Sequence, residues 1–204
     1  MKPLDILKEY WGYDSFRGIQ HDIIESILDG RDTLGLMPTG GGKSICFQVP
    51  ALMSEGLCIV VTPLISLMKD QVLQLKRRGI RAEAVYSGMM RDDIIRVLDN
   101  AVLGGYKLLY ISPERLSSEL FLAKLARMRQ VSMIVVDEAH CISQWGYDFR
   151  PSYLQIATIR RLLPVENVPV LALTATATAF CMPRLTSIGL APAATFFIPS
   201  LTRA

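Results

Sequence analysis

The chain has 204 residues, half of them hydrophobic and a fifth charged, with 22 basic and 19 acidic side chains for a net charge of +3. That length describes one folded domain with a sizeable core, and no apolar run reaches the roughly 18–20 residues needed to span a membrane. The weak positive balance permits a nucleic-acid partner without pointing to one.

Helical and strand-like patterns alternate along the chain. The opening, Met1-Lys2-Pro3-Leu4-Asp5, lacks the hydrophobic region of a signal peptide. An amphipathic stretch at 16–28 precedes an apolar run at 33–37. Helical patterns at 44–52, 64–77, 91–103, 113–126 and 151–162 then separate apolar runs at 58–62, 82–86, 108–111, 133–136 and 170–173. Such alternation predicts an α/β fold, a mainly parallel sheet with helices on both faces. No repeat, low-complexity tract or linker interrupts the sequence before about residue 175. Beyond it a helix is expected at 177–188, with Pro183 inside it, and 195–204 reads as a strand or a tail. Four cysteines, Cys46, Cys58, Cys141 and Cys181, are widely spaced, with no Cys-x-x-Cys pair. They suggest reduced, buried thiols of a cytosolic protein rather than a disulfide framework or a zinc site.

Between the first apolar run and the next helical pattern lies Met37-Pro38-Thr39-Gly40-Gly41-Gly42-Lys43-Ser44. Three consecutive glycines let the backbone wrap closely round phosphate oxygens and aim its N–H groups inward. A helix starting near Lys43 adds the positive end of its dipole. Thr39, Gly40, Gly41 and Gly42 would cradle the phosphates of a nucleoside triphosphate. Lys43 would reach the outer phosphates, and the Ser44 hydroxyl would take one place on Mg²⁺. The strict pattern G-x-x-x-x-G-K-[ST] wants glycine where Met37 stands. The apolar run before the loop and the apolar helical positions after it (Ile45, Val49, Leu52) set it apart from an ordinary Gly-rich turn.

Met133-Ile134-Val135-Val136 is wholly apolar, as expected of a strand buried on both faces. Asp137 and Glu138 follow at its carboxyl end, where open α/β sheets bind ligands. Asp137 would hold the magnesium, directly or through water, and Glu138 would orient and deprotonate the attacking water. An acidic pair after a strand often only begins a solvated loop; the phosphate loop about a hundred residues upstream favours catalysis.

Upstream of that loop, Tyr13, Phe16, Arg17 and Gln20 stand in the order Tyr-x-x-Phe-Arg-x-x-Gln. A glutamine amide can donate to and accept from an adenine edge, and a ring or guanidinium can stack on the base. Taken singly, each is an ordinary helix-surface side chain. Three further segments accompany them: Thr62-Pro63-Leu64-Ile65-Ser66-Leu67-Met68-Lys69-Asp70-Gln71, Tyr110-Ile111-Ser112-Pro113-Glu114-Arg115-Leu116, and Thr174-Ala175-Thr176. With Asp137-Glu138-Ala139-His140, the ordered set resembles superfamily 2 helicases. The run Cys141-Ile142-Ser143-Gln144-Trp145-Gly146-Tyr147-Asp148-Phe149-Arg150-Pro151 is similar to the aromatic-rich loop of RecQ-family DNA helicases. The resemblance covers residues from about 10 to 178, in six or seven ordered motifs.

The resemblance implies that 1–204 is one RecA-like domain that binds ATP, with 1–30 as its adenine-recognition region and 175–204 unassigned. It implies that Tyr13, Arg17 and Gln20 recognise adenine. Lys43, Asp137, Glu138 and His140 would form the catalytic set, with Mg²⁺ on Ser44 and Asp137. Thr62, Pro63, Ser66, Lys69, Ser112 and Arg115 would touch the sugar-phosphate backbone; the hydroxyls among them would equally serve as helix caps. Gln144, Trp145, Phe149 and Arg150 would contact single-stranded or partly duplex DNA, each ring stacking on a base for roughly 1–3 kcal/mol. Packing beneath the loop is the alternative for both rings. Family members often have histidine where this chain has Tyr147, so a titratable ring is lost there. Thr174 and Thr176 would link the ATP site to the DNA track or cap the next helix.

By the same resemblance the whole protein would unwind DNA 3′–5′ in repair and recombination, in a bacterial cytoplasm or a eukaryotic nucleus. A second RecA-like domain, expected to supply arginines to the γ-phosphate, should begin about where Ala204 ends the chain, which is therefore expected to be a fragment or truncated product. An arginine finger is worth roughly 10³- to 10⁵-fold in rate. The chain alone is thus expected to bind ATP weakly, hydrolyse it very slowly and leave duplex DNA intact. The Asp-Glu-Ala-His run does not choose between DNA and RNA; only the loop from Gln144 to Arg150 favours DNA. A non-catalytic nucleotide-binding module is the other reading, and it would lose nothing on Glu138→Gln.

Overall fold

The computed structural model describes residues 2–142, 150–175 and 194–197. Among these, seven strands form one sheet: β1 (Thr33–Leu36), β2 (Leu57–Val61), β3 (Ala82–Val85), β4 (Leu108–Ile111), β5 (Val131–Val136), β6 (Val170–Thr174) and β7 (Ala194–Phe197). Their order is β3-β4-β2-β5-β6-β1-β7, and every neighbouring pair is parallel. The first six fall within two residues of the apolar runs in the sequence. β7 occupies the start of the stretch expected as a strand or tail. The rest of that stretch, the helix expected at 177–188 and Cys181 lie outside the described residues.

The helices are α1 (Pro3–Trp11), α2 (Gln20–Leu28), α3 (Lys43–Met53), α4 (Ile65–Arg77), α5 (Arg91–Val102), α6 (Glu119–Leu125) and α7 (Ile156–Leu162). Alternate residues of each strand feed opposite cores. In β2, Leu57, Ile59 and Val61 pack with Val97, Phe121 and Ile159 of α5, α6 and α7. Cys58 and Val60 pack with Ile23, Phe47 and Met68 of α2, α3 and α4 on the other face. Both faces are covered, the condition under which wholly parallel sheets occur. Each fully buried aliphatic side chain here stabilises the fold by about 1.5–3 kcal/mol, so an Ile59→Asp change would disrupt the sheet's centre. Cys46, Cys58 and Cys141 are buried free thiols, and burial pushes the Cys46 thiol up to about 12, which leaves it inert. No helix among the described residues is long and apolar enough to cross a membrane.

Four elements differ from the sequence reading. Helix α1 was not anticipated, although its ends carry signals: Pro3 opens it, Asp5 Oδ2 accepts from Lys2 N at 2.7 Å, and Gly12 closes it at φ 72°. Its Ile6 and Leu7 pack on Ile24, Ile45 and Val49. Helix α2 starts at Gln20 instead of 16, because Gly18 takes φ 50° and the chain turns there, with Gln20 N bonding Arg17 O. The patterns at 113–126 and 151–162 each split into a proline-led 3-10 turn (Pro113–Arg115, Pro151–Gln155) followed by α6 or α7. Ser118 caps α6, its Oγ accepting from Phe121 N.

β1 lies between β6 and β7, whereas β2, next along the chain, pairs with β4 and β5. The winding reverses between them, and the loop from β1 to α3 emerges at that switch point, where open sheets bind ligands.

Candidate active site

The glycine loop leaves β1 tied to the end of β6 by Met37 N donating to Thr174 O at 3.0 Å. Met37, in the place where the strict pattern asks for glycine, does not take a positive φ, and its side chain is buried against Cys46. The position therefore needs no glycine. Further on, Gly40 and Gly42 do take positive φ values, 78° and 77°. A Cβ on Gly42 would overlap the Gln20 amide.

That amide is held by the chain itself. Gln20 is buried; its Nε2 donates to the Gly41 and Gly42 carbonyls at 3.2 Å each, and its Oε1 accepts from Arg17 N at 2.8 Å. Both amide hydrogens thus hold the phosphate loop in shape. Tyr13 and Arg17 are exposed, with the guanidinium 5.4 Å from the ring centre. These residues border a cavity of about 280 Å³ that continues past Ser44 to Gln48 on α3 and Gln71 on α4. Thr39 and Gly40 are exposed, and Gly41, Gly42, Lys43 and Ser44 half-buried.

At the ends of β5 and β6, four side chains converge on the loop. Lys43 Nζ donates to Glu138 Oε1 at 2.8 Å, and His140 Nδ1 lies 3.2 Å from Glu138 Oε2 and 3.1 Å from Thr174 Oγ1. Glu138 is held at φ 51°, a strained position for a side chain other than glycine. Hydrogen bonding from His140, and then the Lys43 contact, hold its carboxyl down at about 2. The Cys141 side chain and then Glu138 push His140 up to about 10. Asp137 is buried, and burial followed by the Glu138 charge raises its carboxyl above the usual range. It is held by Thr62 Oγ1 (3.3 Å) and Glu138 N (3.0 Å) on its carboxylate, and its carbonyl accepts from the buried Tyr153 hydroxyl at 2.9 Å. Sequence reasoning missed Tyr153, 16 residues downstream, because no local pattern marks a side chain that returns to a strand end.

The set expected at a nucleic-acid backbone divides in two. Ser66 and Lys69, in the first turns of α4, are exposed, and Arg115, which ends the Pro113–Arg115 turn, is half-buried. Tyr86, also unforeseen, joins them: Lys69 Nζ lies 4.6 Å from its ring centre, and its carbonyl accepts from Arg115 Nε at 3.3 Å. Thr62, Pro63 and Ser112, by contrast, are buried. Thr62 Oγ1 donates to the Asp137 carboxylate, and the Ser112 hydroxyl has no hydrogen-bond partner among the described residues. Arg150 pairs with Glu114 at 2.9 Å, and its N–H donates to Cys141 O, which closes the base of the aromatic loop. Gln144, Trp145, Tyr147, Phe149 and Thr176 lie outside the described residues.

Comparison with known proteins adds to this geometry. The DEAD/DEAH box helicase family pattern matches residues 17–182. The chain is 51% identical over 173 residues to the probable ATP-dependent DNA helicase RecS of Bacillus subtilis, covering 84% of this chain and 34% of that protein. It is 47% identical over 174 residues to the ATP-dependent DNA helicase RecQ of Haemophilus influenzae, covering 85% and 28%. The chain thus spans about a third of the length of the relatives it matches. Among solved structures, the helicase MrfA bound to DNA and AMPPNP superposes with a TM-score of 0.77 at 16% identity, over 97% of this chain and 29% of that one. A hypothetical ATP-dependent RNA helicase from Sulfolobus tokodaii gives 0.68 at 19%, over 95% and 56%. At those identities the likeness is one of fold. The family pattern, by contrast, takes in the glycine loop, the Asp137–His140 run and Thr174, and the chain belongs to the DEAD/DEAH box helicase family.

Proposed function

We propose that this chain is the ATP-binding domain of a RecQ-type DNA helicase, the first of two RecA-like domains in the whole protein. One observation carries the proposal: Lys43, Glu138, His140 and Thr174 meet beside a glycine loop at the sheet's switch point. Membership of the helicase family implies the use of ATP, and the relatives named RecQ and RecS support DNA as the track.

The chemistry follows from these contacts. Lys43 moves from Glu138 to the outer phosphates when nucleotide enters the loop, since a doubly charged phosphate offers it more than one carboxylate. Glu138 then loses one of the cations that hold its carboxyl down, and becomes a better acceptor for a proton from the attacking water. His140 continues to hold it and ties it to Thr174 at the end of β6. Asp137 and Ser44 offer one carboxylate and one hydroxyl. That donor set suits magnesium, which keeps several waters and takes other ligands from phosphates. A divalent cation at Asp137 would relieve the burial and like-charge repulsion that raise its carboxyl. When bound, Mg²⁺ neutralises charge on the transferring phosphoryl group. Tyr13 and Arg17 supply stacking surfaces for the base. Ser66, Lys69 and Arg115 face the sugar-phosphate backbone, and the loop anchored by Arg150 adds base stacking. Arginines that finish the γ-phosphate site belong, in this proposal, to the second domain.

Titration calorimetry with Mg·ATP, and fluorescence anisotropy with oligonucleotides, test this directly. Lys43→Ala should weaken ATP binding by about 10- to 100-fold, the worth of a hydrogen bond to a charged group. Unchanged binding in that variant would sink the nucleotide assignment. Single-stranded DNA should bind more tightly than RNA of the same sequence, and the reverse order would replace DNA by RNA.

A further inference from the structure

The apolar core between the sheet and α2, α3 and α4 contains a closed polar group centred on Tyr110. Tyr110, on β4, is fully buried and packs edge-on against Phe47 with ring centres 6.4 Å apart. Its hydroxyl donates to Gln71 Oε1 of α4 at 2.8 Å and accepts from Gln48 Nε2 of α3 at 3.2 Å; the two glutamines approach each other at 3.5 Å. Burial raises the Tyr110 hydroxyl far out of reach of physiological pH, so it is a permanent donor. Polar groups in such a core are costly unless every partner is in place, so a small displacement of one element is felt by the others.

What these three side chains join is informative. Gln48 lies one and a half turns along the helix that begins at Lys43, and Gln71 lies two residues beyond Lys69. Both glutamines border the 280 Å³ cavity shared with Tyr13, Arg17 and Ser44. β4, which carries Tyr110, runs straight into Ser112 and Arg115. One hydroxyl therefore meets the phosphate-loop helix, the helix bearing Ser66 and Lys69, and the strand leading to Arg115.

We propose that the Tyr110 hydroxyl, bridging Gln48 and Gln71, is a positioning group that couples nucleotide occupancy of the cavity to the placement of Lys69 and Arg115 on a nucleic-acid backbone. The inference rests on the ATP and DNA reading above. A nucleotide that engages the cavity wall shifts the Gln48 and Gln71 amides, and the shared hydroxyl passes that shift to α4 and β4. Apolar packing alone would let these elements slide independently, because dispersion contacts carry little direction.

The test is a thermodynamic cycle on the 204-residue chain. The affinity of Mg·AMPPNP is measured with and without a saturating fluorescein-labelled oligothymidylate, and the affinity of that oligonucleotide with and without the nucleotide. Coupling between two sites is reciprocal and commonly 5- to 150-fold. The expected result is coupling of about fivefold or more in the native chain, falling below about twofold in Tyr110→Phe with each separate affinity held within about twofold. Phenylalanine keeps the ring packing, so the loss is specific to the hydroxyl. Gln71→Met, at a half-buried helix position, should abolish the coupling in the same way and guards against a folding defect in the first variant. Full coupling in either folded variant, or a native chain that binds both ligands without coupling, overturns the inference alone. A native chain that binds neither ligand overturns the proposed function as well.

Discussion

The Lys43–Glu138 cluster and the Lys69–Arg115 surface both stand at the carboxyl edge of the sheet, and they are built in opposite ways. In the first, charged side chains bind each other at 2.8–3.2 Å, mostly out of water, around a carboxylate fixed by a strained backbone. In the second, two cations separated by 46 positions share only the ring and carbonyl of Tyr86. Dense buried contacts suit chemistry, because a reacting group must be held to a fraction of an ångström and its charge is weakly screened. An open patch suits a polyanion that moves past it, because exposed charges are screened and easily released.

Four experiments test that contrast. The largest effect is expected from Glu138→Gln, which should lower ATP turnover by about 10²- to 10⁴-fold, the usual worth of a general base, while ATP still binds. A coupled-enzyme ATPase assay decides it; an unchanged rate would return the chain to the class of binding modules. Thr62→Val comes next. It deprives the Asp137 carboxylate of a buried donor, at a cost of about 1–3 kcal/mol in stability. It should also weaken Mg·ATP binding while leaving the affinity for single-stranded DNA unchanged. A selective loss of DNA affinity would place Thr62 in the backbone-contact set.

The third concerns pH. The folded pKa of His140 lies above its ordinary value of 6.5, at about 10, so its contribution is fully present below 6.5 and is lost as pH rises through that folded value. The melting-temperature gap between the native chain and His140→Asn should therefore be widest near pH 6 and narrow towards pH 10. Differential scanning fluorimetry reads it, and a gap that widens with pH would contradict the Glu138–His140 pairing. The smallest effect belongs to the surface: Lys69→Ala should cost only a few-fold in single-stranded DNA affinity. It should make the plot of log affinity against log salt shallower by about 0.7, one phosphate contact fewer. An undiminished slope would remove Lys69 from the track.

Much of the fold was legible because its signals are local. The six apolar runs that became β1 to β6 are short and continuous, since a parallel strand is buried on both faces, and glycine, proline and charged residues mark their ends. Helix α1 escaped because nine residues hold little periodicity, and its amphipathic face acquires meaning only against Ile24, Ile45 and Val49. The 3-10 turns at Pro113 and Pro151 escaped because the apolar spacing of a tight turn and of a helix coincide over one turn. In the site, Lys43, Asp137 and Glu138 were expected from motif spacing and His140 from the resemblance to superfamily 2 helicases. The hydrogen-bond partners of Gln20 and Thr62 could not be read this way. A buried glutamine that closes a loop and one that faces a base have the same neighbours in sequence, and hydrogen-bond partners 21 or 75 positions away decide between them.

The α/β alternation, the glycine loop and the acidic pair are written in the amino-acid sequence, since each depends on backbone conformation or periodicity within a few residues, and the ordered motifs carry the family resemblance. Which polar groups bond inside the protein and which face the cavity follows from the folded arrangement alone. Thr62, Ser112 and Gln20 are buried, while Tyr86, Tyr110 and Tyr153 make contacts that no motif announced. The physical reason is that a hydrogen bond in a closed core depends on which strand ends the sheet order brings together. Here that order sets β1 beside β6 and β2 beside both β4 and β5.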